Sequence, residues 1–537
     1  MGADPVTVEV IRNALIYTAE EMGVALRNSA YSPNIKERMD HSCALFDAAG
    51  RLLAQAEHIP THLGSLAWGI KNLIAHLPGA DLQPGDVWVS NDPYLTGTHL
   101  NDVTVLEPVF WQGRLLGYSA TKAHHVDVGG RVPGSLSMEA ADLFEEGVVV
   151  PPRLLVRGEQ PVEETWRAIL SAVRTPEVTA GDLRAQRAAC ALGRRRMQEV
   201  CARHGRLEEV WERMIGQDAA LARRRWSVLP PGVFQAEDCL ELPEGLVWLR
   251  VAVRRTDDGV AVDFAGTDAQ VRYPLNAVFG VTVAGAVYAL KAALAPDLPM
   301  SEGLLQGVRV SAPPGCLLNP RRPAPVGVGN TETSQRVADV VLRALARALP
   351  GRIPAAGCGS MNNVAMGGVH PQTGRPWAFY ETVGGGMGAR PGRDGVDGVH
   401  VHMTNTMNTP IEAAERELPV LFRRYEFRPG SGGAGRWRGG CGIVRAWTLR
   451  AEQATVSVLT ERTVVPPWGL AGGRPGAVGR HLVIRADGTE EVLPGKGTVE
   501  LRRGDTLVLQ TPGGGGYGDP AERSPELVER DRADGLV

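Results

Sequence analysis

Glycine and proline punctuate this chain so densely, at 65 and 38 of its 537 residues, that long regular elements are confined to a few stretches and short strands joined by turns must supply the rest. The clearest breaker-poor stretch is 163–225. It reads as two or three antiparallel helices, interrupted at Thr175–Pro176 and near Gly205 and ended by Pro230 and Pro231. Near the start, Asp4 and Pro5 open a helix whose Ile11, Leu15, Met22 and Leu26 share one face. Residues 43–46 and 51–54 flank a turn as a hairpin, 65–77 is a second amphipathic helix, and 87–90 is a short strand. Residues 103–110 and 114–122 form another hairpin around Gln112–Gly113. Further on, 234–268 alternates like strands, 276–295 and 332–349 read as buried helices, and short strands dominate from about Tyr425. The expected fold class is α+β. The expected regions are 1–160 (mixed helix and hairpin, with the candidate metal ligands), a helical segment over 161–230, an α/β central region over 231–425 and a β-rich region over 426–537.

Length alone suggests about three or four units. The net charge of −3 provides no basic footprint for nucleic acid, and the arginine runs 194–196 and 223–225 read as solvated helix surface. The opening MGADPVTVEV lacks the basic head and apolar core of a signal peptide, and Val6 stands where a myristoylation motif needs Ser or Thr. No run approaches 18 uninterrupted apolar residues, so no membrane span is expected. Seven scattered cysteines without a CxxC imply reduced thiols in a cytoplasm and argue against a thiolate zinc site.

Seven of the 12 histidines precede residue 126, which directs the search for chemistry to the first quarter. If the 103–122 hairpin turns on Gln112–Gly113, paired residues have numbers summing to about 225. Asp102 then faces Ala123 and Asn101 faces His124, so Asp102 and His124 come within cross-strand reach, with His99 just upstream. Histidine nitrogen and carboxylate oxygen suit zinc, manganese or iron, and a catalytic site takes three such ligands and leaves a position open. Histidines hydrogen-bonded in turns would give the same spacing. His125 points to the opposite face if the strand continues. Asp40 is a fourth ligand, a holder of metal-bound water, or a carboxylate making a local turn. His58 and His62 have the i, i+4 spacing of helical zinc sites, but Pro60 between them spoils an ideal helix and no glutamate intervenes, so pocket lining or a purely structural role is expected. The run Thr511-Pro-Gly-Gly-Gly-Gly-Tyr-Gly-Asp-Pro520 lacks the lysine and Ser/Thr of a P-loop and reads as a tight turn. The segments 383–390 and 400–405 line a channel or pack closely on other backbone. No Gly-x-Ser-x-Gly elbow is present.

The runs DPVTVEVIRNALIYTAEEMG, NSAYSPNIKERMDHSCALFD, HIPTHLGSL, NDPYLTGTHLNDV, KAHHVDVGG, NTETSQRVAD, YETVGGGMGARPGRDG, HMTNTMNTP and TPGGGGYGDP resemble the B-type subunits of the hydantoinase/oxoprolinase family over nearly the whole chain. That family includes N-methylhydantoinase, 5-oxoprolinase, caprolactamase and the acetone and acetophenone carboxylases. The resemblance implies an A-type partner subunit that binds ATP and phosphorylates the substrate, and a B-type subunit that carries a divalent metal. His99, Asp102 and His124 match the family's metal site, and Asp40 matches its aspartate near Ser-Cys-Ala-Leu-Phe. The implied reaction is ATP-dependent hydrolysis of a hydantoin, oxoproline or lactam-like ring. A metal-bound water attacks the phosphorylated carbonyl carbon, and His125 or Asp127 passes a proton to the departing nitrogen. The implied assembly is a cytoplasmic hetero-oligomer with a small-molecule substrate and neither nucleic acid nor membrane. Two other readings stay open: a carboxylase of the same family, and a non-catalytic scaffold subunit.

Overall fold

The computed structural model describes residues 4–77, 82–205 and 207–537. Asp4 caps the first helix, Pro5–Ser29, by accepting from the N–H groups of Val6 and Thr7, and Pro5 occupies the first turn. The buried face of this helix, including Ile11, Leu15, Met22 and Leu26, packs against helix Pro176–His204 and one face of the first sheet. The helices Glu163–Leu170, Pro176–His204 and Glu208–Trp226 break where the sequence places the interruptions.

The first sheet is antiparallel, with strands β1 (His41–Asp47), β2 (Leu52–Gln55), β3 (Val87–Ser90), β4 (Asp102–Trp111), β5 (Arg114–His124), β6 (Arg153–Arg157) and β7 (Gln160–Pro161) in the order β2-β1-β5-β4-β3-β6-β7. Both faces are covered. Cys43 and Leu45 point to the side of helix Pro176–His204. Ala44 and Phe46 point to the side of Leu63 and Leu66 in helix Pro60–Ala75, as the two-residue strand period requires. That helix begins at Pro60 rather than near Ser65: a proline in the first turn starts a helix where one in the interior would break it.

The β4–β5 turn has positive φ at Gln112 (50°) and Gly113 (76°), as a two-residue hairpin turn demands. Trp111 pairs with Arg114 and Phe110 with Leu115. A bulge then shifts the register, so that Val109 pairs with Gly117 and Asp102 directly with His124. The register expected from spacing, with Asp102 opposite Ala123, is wrong by this one bulged residue.

In the centre, strands Val233–Leu242, Gly245–Arg255, Val260–Asp263 and Val308–Ser311 form a four-stranded sheet that carries helix Ser334–Ala348. A π-helical turn, Gly329–Thr333, leads into that helix. The β-rich part takes in strands well before Tyr425, because Asn363–Val369 pairs with Pro376–Thr382 on one side and with Gln453–Leu459 on the other. This sheet faces a five-stranded one across Met366, Phe379, Trp447 and Leu507. The fold is α+β. No helix among the described residues is long and apolar enough to cross a membrane.

Buried ion pairs tie the central and C-terminal parts together. Arg462 donates to Asp238 (2.8 Å) and Asp339 (3.1 Å), and Arg336 donates to Asp339 (2.7 Å). Burial pushes the Asp339 carboxyl up, but its bond to His402 and the two guanidinium charges outweigh that and hold it far below the ordinary carboxylate range. A depressed carboxylate contributes stability that is present above its unfolded pKa, about 4, and lost as pH falls towards its folded value. The expected result is a melting temperature that falls steeply below about pH 4, with a shallower acid limb in Asp339→Asn, measured by thermal unfolding between about pH 3 and 7.

Candidate metal centre

The loop between β3 and β4 delivers His99, and several bonds shape it. Asn91 donates to the carbonyls of Leu100 (2.9 Å) and Val148 (2.9 Å) and accepts from the Val150 N–H (2.7 Å). Asp92 caps the single turn Pro93–Thr96, which Gly97 ends in the left-handed conformation (φ 85°). From β5, the fully buried Lys122 donates to the Thr96 carbonyl (2.7 Å) and to Thr98 Oγ1 (3.1 Å). Burial, opposed by the Asp102 charge, lowers its pKa to about 8. Lys122→Met is expected to free this loop and weaken divalent-metal affinity by about 10–100-fold, the usual scale for groups that orient ligands, read by competition with a chelator.

His99, Asp102 and His124 converge in a nearly equilateral triangle. His99 Nε2 lies 3.2 Å from Asp102 Oδ1 and 3.1 Å from His124 Nδ1, and His124 Nδ1 lies 3.3 Å from Asp102 Oδ1. His99 Nδ1 donates to the Gly327 carbonyl (3.0 Å). A carbonyl only accepts, so Nδ1 carries a hydrogen and Nε2 is the ring atom turned towards Asp102, the arrangement in which a deprotonated Nε2 can ligate a metal. Lone pairs at this spacing repel unless a proton or a metal ion lies between them. Ligands about 2.0–2.1 Å from a tetrahedral ion are separated by about 3.3 Å, which matches the edges of this triangle. The three residues are buried and form a possible site for a divalent metal.

Their electrostatics follow from the same contacts. Burial pushes the Asp102 carboxyl up, but His99, His124 and His62 outweigh it and hold it well below the ordinary range. Burial lowers His99, and the Asp102 charge and hydrogen bond reverse that into a net rise. Burial dominates at His124, which shifts down. The His124 ring stacks on Tyr380 (centroids 4.7 Å apart, 13° between planes), and the Tyr380 hydroxyl donates to Asn363 Oδ1 (2.6 Å).

His62 belongs to this cluster. Its Nε2 is 3.3 Å from Asp102 Oδ2 and its Nδ1 3.0 Å from Ser42 Oγ, so it props the far side of the carboxylate. Reading Pro60 as a helix start rather than a flaw would have put His62 in the first turn, facing the sheet. Asp40 lines the same cavity, with its Oδ2 4.0 Å from Arg38 Nη2. The opposite wall is built from Asn330 and Thr331 of the π-helical turn, Tyr380 and Thr382 at the end of their strand, and the strap 403–406. Of these C-terminal positions, sequence reasoning marks only Met403 and Thr404, within the segment 400–405 read as lining a channel or packing on other backbone, and none of the others. The cavity left among them has a volume of ≈ 20 Å³, room for about one water. A larger cleft of ≈ 640 Å³ between Glu241–Pro243 and Arg480–His481 lies away from the triangle.

His125 and Asp127 are placed elsewhere. The His125 Nε2 pairs with Gln186 Oε1 (2.9 Å) on helix Pro176–His204, on the other face of the sheet. Asp127 accepts from the N–H groups of Gly129, Gly134 and Arg174 and from the Arg174 guanidinium (2.9 Å). Neither lines the cavity, because one parity step along β5 and a saturated loop turn them away, and the proton relay expected of them loses its geometric basis. The glycine-rich segments 383–390 and 511–520 pack on each other: Gly386 N–H donates to the Pro512 carbonyl (3.0 Å) and Ala389 N–H to that of Gly515 (2.9 Å). A side chain at Gly514 would meet the Met387 carbonyl at 2.1 Å, so this run serves close backbone packing. All seven cysteines are unpaired and buried.

Comparison with known proteins adds the family. The Hydantoinase B/oxoprolinase family model matches residues 4–520. An uncharacterized protein of Methanocaldococcus jannaschii is 46% identical over 99% of this chain and 93% of its own length. 5-oxoprolinase 1 of Arabidopsis thaliana is 35% identical over 96% of this chain, which spans only 42% of that larger protein. The putative B-type subunit of a D-/L-hydantoinase from a Pseudomonas strain is 33% identical over 99% of this chain and 93% of its own length. Among solved structures, the ATP-dependent caprolactamase of Pseudomonas jessenii superposes with a TM-score of 0.92 at 30% identity, over 100% of this chain and 94% of that one. Nucleotide-free acetone carboxylase shares the fold with a TM-score of 0.92 at 21% identity, over 99% of this chain and 78% of that one. With matches of this length and a buried donor triangle at its centre, the chain belongs to the Hydantoinase B/oxoprolinase family.

Proposed function

We propose that this chain is the metal-carrying component of an ATP-dependent cyclic amidohydrolase that opens a hydantoin, oxoproline or lactam-like ring after a partner subunit has phosphorylated it. The observation that carries the reading is the triangle of His99 Nε2, Asp102 Oδ1 and His124 Nδ1, with edges of 3.1–3.3 Å, at the wall of a small cavity. The names of the 5-oxoprolinase, hydantoinase and caprolactamase relatives support the substrate class. The hydantoinase relative is named as one subunit of its enzyme, which supports an A-type, ATP-binding partner in a hetero-oligomer. Buried, unpaired cysteines fit a cytoplasmic setting.

An amide resists water because resonance stabilises its carbonyl. Phosphorylating the carbonyl oxygen removes that resonance and leaves the carbon electrophilic. Zinc, manganese or iron held by His99, Asp102 and His124 would supply the Lewis acidity that makes water nucleophilic near neutral pH. The chain's own groups do the rest. The Gly327 carbonyl and the Tyr380 ring orient His99 and His124, and His62, itself bonded to Ser42, holds Asp102. The Asp40 carboxylate at the cavity wall takes the proton released as water attacks and returns it to the ring nitrogen as the C–N bond breaks. This leaves a ring-opened acyl phosphate that a second water hydrolyses to carboxylate and phosphate.

The test is an assay of the chain with an A-type partner, ATP and a panel of 5-oxoproline, N-methylhydantoin and caprolactam. Ring opening coupled to ATP hydrolysis is the expected outcome. Labelled bicarbonate appearing in product would replace hydrolysis by carboxylation, and full activity from a metal-free, folded chain would leave a scaffold role.

A further inference from the structure

Thr382 and Thr406 meet at the cavity wall with their Oγ1 atoms 2.8 Å apart. They come from different parts of the chain. Thr382 ends strand Pro376–Thr382 and is paired in register with Asn363. Thr406 lies in the strap 401–410, which forms neither helix nor strand and leads into helix Ile411–Glu417. The fully buried Arg38 donates through Nη2 to both hydroxyl oxygens, at 2.9 Å to Thr382 and 3.4 Å to Thr406, and through Nη1 to the Tyr380 carbonyl at 3.2 Å.

Counting hydrogens defines what this pair offers. A guanidinium has only donors, so both threonine oxygens act as acceptors towards Arg38. Two hydroxyls carry two hydrogens. One bridges the pair, and the other has no acceptor among the hydrogen bonds that either threonine makes. Because both side chains line the cavity, that remaining O–H is available to whatever occupies it. Two other hydroxyls at the cavity, those of Thr61 and Thr331, are not in this state: Thr61 donates to the Met403 carbonyl (2.7 Å) and Thr331 to that of Val328 (3.0 Å).

The cavity of ≈ 20 Å³ has room for about one water, so a cyclic amide fits wholly inside it only when part of the wall withdraws. The strap is the wall segment without secondary structure. Its ends are anchored, by Gln335 to the Val401 carbonyl (3.0 Å) and His402 to Asp339 (3.1 Å) on one side and by Asn408 to the Thr382 carbonyl (2.8 Å) on the other. Between them 403–407 is tied by the threonine pair, by the bond from Thr61 Oγ1 to the Met403 carbonyl and by the Met407 N–H bond to the Arg38 carbonyl (3.0 Å). Lifting it separates Thr406 from Thr382, and reseating it rebuilds the pair. We infer that the Thr382–Thr406 pair is the hydrogen-bond donor that reads an oxygen of the bound ring, completed only when the strap closes over it. This assignment rests on the ring-opening reading of the site.

Thr406→Val removes the hydroxyl and keeps the shape, whereas Thr406→Ser keeps the hydroxyl. Thr406→Val is expected to retain its metal and lose about 10²–10³ in kcat/KM, mostly in kcat, while Thr406→Ser stays within about threefold of the parent. A second readout does not use turnover: acetate titrated into the cobalt-loaded chain, followed by visible absorption, is expected to bind about tenfold more weakly to Thr406→Val than to the parent or Thr406→Ser. If Thr406→Val does not fold, Thr382→Val and Thr382→Ser on the strand side carry the same comparison. Equal acetate binding across the parent, Val and Ser forms, or no binding by any, overturns the donor. Discrimination of acetate with no cyclic amide opened by the parent enzyme would discard the ring-opening reading and leave the donor standing.

Discussion

Asp102→Asn is expected to give a folded chain that no longer keeps a divalent metal and turns over at least about 10³-fold more slowly. The substitution hardly changes shape, so its effect isolates charge. Asp102 is the one anion in the triangle. Its Oδ1 faces His99 and His124 at 3.2 and 3.3 Å, and its Oδ2 faces His62 at 3.3 Å. An amide there offers a neutral oxygen on one side at best. On the other it would set an N–H either towards the metal or towards a histidine nitrogen, and both are poor exchanges. Metal content by mass spectrometry, alongside turnover with the partner subunit, checks this. Near-stoichiometric metal with normal rates in Asp102→Asn would remove the triangle from the mechanism.

The second large effect concerns stability. Arg445→Met is expected to destabilise the chain by about 3–5 kcal/mol, because it leaves the Glu381 carboxylate buried without its cation. Arg445 donates to Glu381 at 2.8 and 3.0 Å, and both side chains are 0% exposed. The guanidinium is enclosed by Phe422, Tyr425 and Trp447, with ring centroids 4.7, 4.2 and 5.5 Å away. The pair joins strand Pro376–Thr382 of one C-terminal sheet to strand Gly442–Leu449 of the other. The double variant Arg445→Met with Glu381→Gln removes both charges and is expected to recover most of the loss, since a buried pair contributes little net stability and a buried orphan costs much. Urea unfolding of the two single variants and the double variant measures this. A single-variant loss below about 1 kcal/mol would show that water reaches Glu381.

Much of the architecture is legible in the sequence because its signals are local. Asp4 and Pro5 announce the first helix, Thr175–Pro176 and Gly205 divide the helical segment, and Gln112–Gly113 marks the hairpin that brings Asp102 to His124. Signals that depend on remote partners are not legible. A bulge near Leu116 has no residue type that demands it, so spacing alone puts the register of β4 and β5 out by one position. Pro60 reads locally as an obstacle, which leaves His62 as pocket lining or a structural residue and hides its contact with Asp102. The wall formed by Asn330, Tyr380, Thr382 and Thr406 comes from residues more than 200 positions beyond the triangle, and a single sequence has no periodicity that links them. The resemblance to a known family points to His99, Asp102 and His124 as candidate ligands, which the fold brings together, while it sets His125 against Gln186 and Asp127 against Arg174, away from the cavity.

That bulge also settles which of two identical neighbours faces Asp102. His124 and His125 differ in sequence by nothing except parity, and along a strand parity decides the face. With an unbroken ladder, Asp102 would lie opposite Ala123, and His124 would lie a place further on, opposite Asn101. The extra residue near the tip of the hairpin restores His124 to Asp102 and sends His125 to Gln186. The count of residues between the turn and the mouth of the hairpin therefore acts as a selector. An insertion or deletion between Gly117 and Ala123 would change which histidine faces Asp102 without altering any residue of the triangle itself.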